Sequence, residues 1–227
     1  MGARAEARAR IVTEVLRLGR AQLAEVGAAA LSLRAIAREL GVVSSAVYRY
    51  FPSRDALLTA LIIESFNELG ASCERAERAV PREQTTRRFL VTAQTVRKWA
   101  LSNPNEWALI FGSPVPGYSA PEDTIGPASR VPVLLVGILR DLPAGHAGAI
   151  DLGATAAQAI APLRDGMAPD LNANLVAIGY TAWMHVVGAV STEVFGHQTN
   201  VIDAAKRARI AFFDAQMHAM ADLLRLD

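Results

Sequence analysis

Residues 42–51, VVSSAVYRYF, gather side chains suited to recognising nucleic acid. Arg49 can offer its planar fork to the O6 and N7 of a guanine, or set the same charge against a phosphate. Tyr48 and Tyr50 carry hydroxyls that can donate to phosphate oxygens, and the ring of Tyr50 can instead pack inward. Ser44 and Ser45 can bond to several base edges, and Ala46 can touch a thymine methyl. Upstream, Ser32 and Arg34 open a helix whose free N–H groups and positive end suit a phosphate. Arg54, at the start of the following helix, can clamp another. Arg38 reads as a solvated surface residue.

Two short helices must hold these side chains. Ser32 is a natural N-cap, and Leu33, Ile36, Ala37 and Leu40 then recur at the i, i+3, i+4, i+7 spacing of one buried face. Gly41 can take the positive φ that ends a helix. Val42 and Val43 bridge the turn, and Ser44 or Ser45 can cap the second helix. Val47, Tyr48 and Phe51 anchor that helix, and Pro52 stops it. This spacing predicts a helix-turn-helix whose second helix enters the major groove. An ordinary helical hairpin shares the spacing, so the flanking sequence has to discriminate.

The flanks favour DNA. Residues 1–54 hold nine arginines and four glutamates, a net +5, while the other 14 basic and 18 acidic residues leave −4. A basic head on an acidic body is the asymmetry of a DNA-reading domain. A helix is predicted over 4–26, with Ile11, Val15, Leu18, Leu23 and Val26 on one side and Gly27 at its end. Ser53 caps the next helix and Asp55 suits its first turn. That helix carries Leu57, Leu58, Leu61, Ile62, Phe66 and Leu69 and runs to 79. The expected organisation is a helix-turn-helix domain over 1–53, a connecting helix over 54–80, and a ligand-binding and dimerisation domain over 81–227.

In that last domain, helices are expected over 83–102, from Pro104 through Phe111, and over 131–142, 146–160, 171–195 and 202–225. Proline and glycine mark loops at 112–124 and 162–170. The last helix shows Ile202, Ala205, Ile210, Phe213, Met217, Met220 and Leu224 on a broad apolar stripe. Two adjacent helices this apolar can dock on their copies in a second subunit, or be buried within one chain. Trp99, Trp107, Phe111, Tyr118, Tyr180, Trp183, Met184 and His185 are the candidates to line a small-molecule site, apolar walls with a few polar tips. Plain core packing is the alternative for each.

Here the residues reach a known pattern. The stretch LSLRAIARELGVVSSAVYRYFPSRDALLTALI resembles the N-terminal domain of the tetracycline-repressor (TetR) family of transcriptional regulators, over roughly residues 8–65. The segments WALSNPNEWALIFGSPVPGY and WMHVVGAVSTEVFGH resemble a divergent C-terminal regulatory domain of the type carrying W-x-H-x-x-G, here Trp183, His185 and Gly188. Two departures stand out. Arg54 occupies a position where the family usually has Lys, and Leu33 follows Ser32 where a polar residue is frequent. The resemblance implies an all-α homodimer: a three-helix helix-turn-helix domain plus a larger helical-bundle regulatory and dimerisation domain. It implies binding to palindromic double-stranded operator DNA, with a phosphate-bonding tyrosine at Tyr48. A small-molecule effector in the body would change the separation of the heads, and repression is the family's usual mode.

Other classes find little support. The four histidines (146, 185, 197, 218) have no HExxH spacing, and no GxSxG elbow or phosphate-cradling glycine loop occurs. One cysteine, Cys73, allows no internal disulfide and no multi-cysteine zinc site. No metal, cofactor or catalytic residue is therefore expected. A helical protein-interaction module without sequence-specific DNA binding remains the alternative, but it leaves the basic head unexplained. The start has no signal-peptide core, and 175–190 reads as a buried core helix, so a cytoplasmic location is expected.

Overall fold

The computed structural model describes residues 2–143, 146, 150–203 and 205–226, apart from the side chains of residues 3 and 4. The helices among them are α1 (Ala3–Val26), α2 (Leu33–Glu39), α3 (Ser44–Tyr48), α4 (Arg54–Arg78), α5 (Thr85–Ser102), α6 (Pro104–Phe111), α7 (Ile125–Arg140), α8 (Gly153–Met167), α9 (Ala173–Val194) and α10 (Lys206–Leu224). No strand occurs among the described residues. The expected all-α class is what the chain adopts.

Contacts divide the chain into two compact units. The first holds residues 1–67 and 103–127; the second holds 68–102 and 128–227. Helix α4 thus belongs to the first unit by its N-terminal half and to the second by its C-terminal half.

The first unit is organised on an apolar core of Val15, Leu18 and Leu23 from α1, Leu31, Leu33, Ile36 and Ala37 around α2, Val47 and Phe51 around α3, and Leu57, Leu58 and Leu61 from α4. Leu33 is only 3% exposed, which explains why an apolar residue stands after Ser32. The ends of the α1 stripe behave differently from its middle: Ile11 and Val26 are exposed. Leu109, Val115 and Tyr118, from α6 and the loop after it, also pack on this core. That loop is fastened by a 2.9 Å hydrogen bond between the Tyr118 and Thr59 hydroxyls.

In the second unit α9 packs against α5, α8 and α10. It is opened by Asn172, whose side chain accepts from the Leu175 N–H. Leu175, Ile178, Ala182, Val186 and Val190 are buried along it, which agrees with a core helix. Where α7 meets α9, a Cβ on Gly179 would lie 2.5 Å from Leu139 Cδ1, so a larger residue there would make the Leu139 side chain shift. Gly70 of α4 leaves room for Arg130, whose Cβ would lie 2.8 Å from a Cβ there and which pairs with Glu74 at 2.7 Å.

Four boundaries differ from the sequence reading, and two of them belong to helices that run through a proline. Helix α7 begins at Ile125 and runs through Pro132, and α8 runs through Pro162 to Met167 where a loop was expected. An interior proline removes one i→i−4 bond and favours a kink, but the rest of the ladder can hold it. The expected helix over 146–160 begins instead at Gly153, and residues 147–149 lie outside the described residues. Helix α10 begins at Lys206, so Ile202 and Ala205 precede it; Phe213, Met217 and Leu224 form its buried side.

Buried charge is concentrated in the second unit. Arg88, 7% exposed, donates to Glu77 Oε1 at 2.6 Å, to Asp141 Oδ2 at 2.6 Å and to the Arg82 carbonyl at 3.0 Å. Burial pushes the Asp141 carboxyl up, but hydrogen bonds from Arg82 and Arg88 outweigh it and hold it below the usual carboxylate range. Arg130 does the same for Glu74. A depressed folded-state pKa gives stability that is complete above the unfolded value and is lost as pH falls through the folded one. Unfolding midpoints should therefore be flat from neutral pH down to about 4, the ordinary carboxylate range, and drop below it. Asp141→Asn should weaken that acid-side drop in a thermal-melt series. Cys73 is buried, which with Glu74 nearby pushes its thiol up to about 12, so it is no nucleophile at neutral pH.

Candidate nucleic-acid interface

The helix-turn-helix is built by local bonds of short reach. Ser32 caps α2, its Oγ accepting from the Ala35 N–H at 3.3 Å. At the other end the Val42 N–H donates to the Ala37 carbonyl at 3.0 Å and the Gly41 N–H to the Arg38 carbonyl at 3.1 Å. Gly41 has φ +68°, so this is a Schellman closure with glycine at the left-handed position. Ser53 caps α4, its Oγ accepting from the Ala56 N–H at 3.0 Å.

The start of α3 departs from expectation. Its N-cap residue is Val43, with no side-chain cap bond, and Ser44 and Ser45 are already helical. Neither serine caps, because Ser44 lies one position and Ser45 two positions beyond the cap. Ser45, Tyr48 and Arg49 are exposed, while Ser44, Ala46 and Tyr50 are half-buried. The Tyr50 ring packs on the core of the unit. Val47, fully buried, fixes which face of α3 turns outward.

The charges sort clearly. Arg34, Arg38 and Arg49 are exposed, and no hydrogen bond or ion pair among the described residues engages their side chains. Arg54 is half-buried: its Nη2 donates to the Ala28 carbonyl at 2.9 Å and its Nη1 to Asp55 at 3.4 Å. Arg17 pairs with Glu14 at 2.7 Å, and Arg20 pairs with Glu64 at 2.9 Å.

Gln22 is a positioning residue that sequence reasoning missed. It is 8% exposed on the buried side of α1. Its Oε1 accepts from the Ser32 N–H at 2.9 Å, and its Nε2 donates to the Ser32 carbonyl at 3.5 Å. This fixes the residue that opens α2. The signal was available: Val15, Leu18 and Gln22 share one helical face, and a polar residue there needs a partner. Gln22→Leu removes both bonds and should destabilise the first unit by about 1–3 kcal/mol. Urea unfolding followed by tyrosine fluorescence checks this.

The ligand candidates fall in both units. In the first, Trp107 is fully buried, its ring 4.4 Å from Phe111, and Phe111 meets Phe66 edge-on at 5.8 Å. Tyr118 is also in this unit, bound to Thr59 as described. In the second, Trp99 and Trp183 are buried, while Tyr180 and Met184 are 46% and 40% exposed. His185 is half-buried, and its Nε2 is buried without a hydrogen-bond partner.

A short capped helix with two unengaged arginines, a glycine turn and an outward-facing second helix ending at a third define a helix-turn-helix DNA-binding unit of a transcriptional regulator. Residues 15–61 match the model of bacterial regulatory proteins of the tetR family, and residues 89–220 match the tetracyclin repressor-like C-terminal domain. The chain is similar to the HTH-type transcriptional regulators Mb1846 of Mycobacterium bovis and Rv1816 of Mycobacterium tuberculosis, each 42% identical over 204 residues and covering 86% of both chains. Among solved structures it is similar to SCO4313, with a TM-score of 0.81 and 26% identity over 97% of this chain and 100% of that one. The chain belongs to the tetR family, whose members are DNA-binding transcriptional regulators and not enzymes.

Proposed function

We propose that the chain is a cytoplasmic repressor that binds palindromic operator DNA as a homodimer and is released by a small-molecule effector. The observation that carries the DNA reading is the exposed face of α2 and α3, with three arginines that the fold leaves unengaged. In this reading α3 lies in the major groove, with Ser44, Ser45, Ala46 and Arg49 toward base edges. Tyr48, Arg34 and the start of α2 at Ser32 hold phosphates, with Tyr50 contributing its hydroxyl. Arg54 chiefly anchors α4 to the turn before α2, and any phosphate it reaches is held from that anchored position.

Dimerisation through α9 and α10 is supported by the faces they leave uncovered. Tyr180, Met184 and Gly188 lie at i, i+4, i+8 on the exposed side of α9, and Ala211, Phe212, Ala215 and Ala219 on that of α10. Small side chains let a second helix pair approach, and a two-fold axis would make the contact isologous. Two heads then meet two half-sites about 34–36 Å or more apart.

Effector binding in the second unit is supported by His185. A buried imidazole nitrogen without a partner is costly, and a bound polar group would satisfy it. Tyr180, Trp183 and Met184 are the nearby candidates in sequence, Trp99 lies on α5, which packs against α9, and Trp107, Phe111 and Tyr118 remain candidates in the first unit. Release needs an effector that prefers the head spacing unfit for DNA, since equal affinity for both states shifts nothing. Helix α4, continuous through both units, is the natural lever.

Selection of duplexes from a random library, followed by sedimentation of the complex, tests this reading. An inverted repeat carrying two chains is expected. Binding that follows salt but ignores sequence would instead favour a helical interaction module.

A further inference from the structure

Val43 stands against the local rule that shapes the other helix starts of the motif. It occupies the N-cap of α3, where Ser, Thr, Asp or Asn is preferred, and it makes no side-chain cap bond. Its side chain is 72% exposed, more than any other large apolar residue described in the first unit. It takes no part in the apolar core. Its neighbour Val42 is explained by the Schellman closure, whose C″ position commonly carries an apolar residue. Val43 has no such account. Where a residue breaks a local rule with no structural return, function is the place to look.

Its position supplies the function. Val43 immediately precedes Ser44 and, like Ser45, Tyr48 and Arg49, is exposed. The N-terminal residues of a reading helix are those that face base edges. On the major-groove edges of the four base pairs, the apolar group is the C5-methyl of thymine. We propose that Val43 is a specificity-determining residue that reads a thymine through this methyl. This rests on α3 lying in the major groove, as proposed above. The assignment gives the interface a second and larger apolar reader beside Ala46. It also explains why a cap is forgone: serine or threonine here would turn its hydroxyl back to the helix and present less apolar surface to the base.

The test uses the full chain and the tightest duplex from the random-library selection. Each thymine is replaced in turn by deoxyuridine, symmetrically in both half-sites, which removes only the methyl. At one thymine per half-site the wild type should bind about fourfold more weakly per half-site, the worth of one buried methyl group. At that same thymine, Val43→Ser should bind the thymine and deoxyuridine duplexes alike. That variant restores a favoured cap, so its unfolding midpoint should be at or above the wild type's. Two results overturn the assignment: a wild type indifferent to deoxyuridine everywhere, or a Val43→Ser variant that keeps the full discrimination. Either leaves DNA binding standing. If the wild type selects no duplex at all, the major-groove reading fails and this inference fails with it.

Discussion

Replacing Arg97 by leucine is expected to lower the stability of the second unit by about 3–5 kcal/mol, the cost of stranding a buried partner charge. Arg97 Nε and Nη2 donate to the two carboxylate oxygens of Glu193, both at 2.6 Å. The side chains are 13% and 6% exposed, so water can do little for either ion once the other is gone. The guanidinium also lies 5.5 Å from the ring centroid of Phe213. One side chain of α5 therefore holds α9 by an ion pair and α10 by a cation–π contact. The single change removes both and leaves the Glu193 carboxylate without its fork. Arg97→Leu with Glu193→Leu should recover much of the loss, because two apolar residues of similar size leave no orphaned charge. Urea unfolding of the two variants separates the effects. A single variant within about 1 kcal/mol of wild type, typical of a surface pair, would show that the fork contributes little.

Arg49→Ala should abolish discrimination at one base pair of each half-site, about 1–3 kcal/mol there, or roughly 5- to 150-fold. The side chain is exposed on α3 and engaged by nothing else in the described structure. Its freedom suits both a guanine and a phosphate, and the two roles leave different marks. Loss of a base contact weakens the selected duplex and leaves duplexes altered at that position nearly unchanged. Loss of a phosphate contact weakens all duplexes alike and reduces the salt slope by about 1 per head. Affinities on a panel of single-base variants at two salt concentrations decide between them, and uniform loss would remove Arg49 from the base readers.

The motif was legible in the sequence because short-range bonds build it. Ser32, Gly41 and Ser53 each act within three or four residues, and each stands in the structure where the residue types place it. The α3 cap was not legible in the same way. Two serines in the right neighbourhood hid the fact that the boundary falls one residue earlier, at Val43. Gln22 was missed because its partner, Ser32, lies ten residues away and its role depends on how α1 crosses α2. In the second unit, Pro132 reads locally as a helix opener and Pro162 as the start of a loop, yet α7 and α8 run through them. The ion pairs of Arg97 with Glu193 and Arg88 with Asp141 span long stretches of chain, and no local spacing announces them. The candidate ligand residues share an aromatic or polar-tipped character on helices expected to pack together, and the fold assigns them to two units.

Hydroxyl-radical footprinting of the wild-type chain on its selected duplex tests the central claim most directly. The account predicts two protected patches related by a two-fold axis, centred at least one helical turn apart, and lost together when Arg34 and Arg49 are both replaced by alanine. Protection without a dyad, or protection that follows salt but is the same on every sequence, would contradict it.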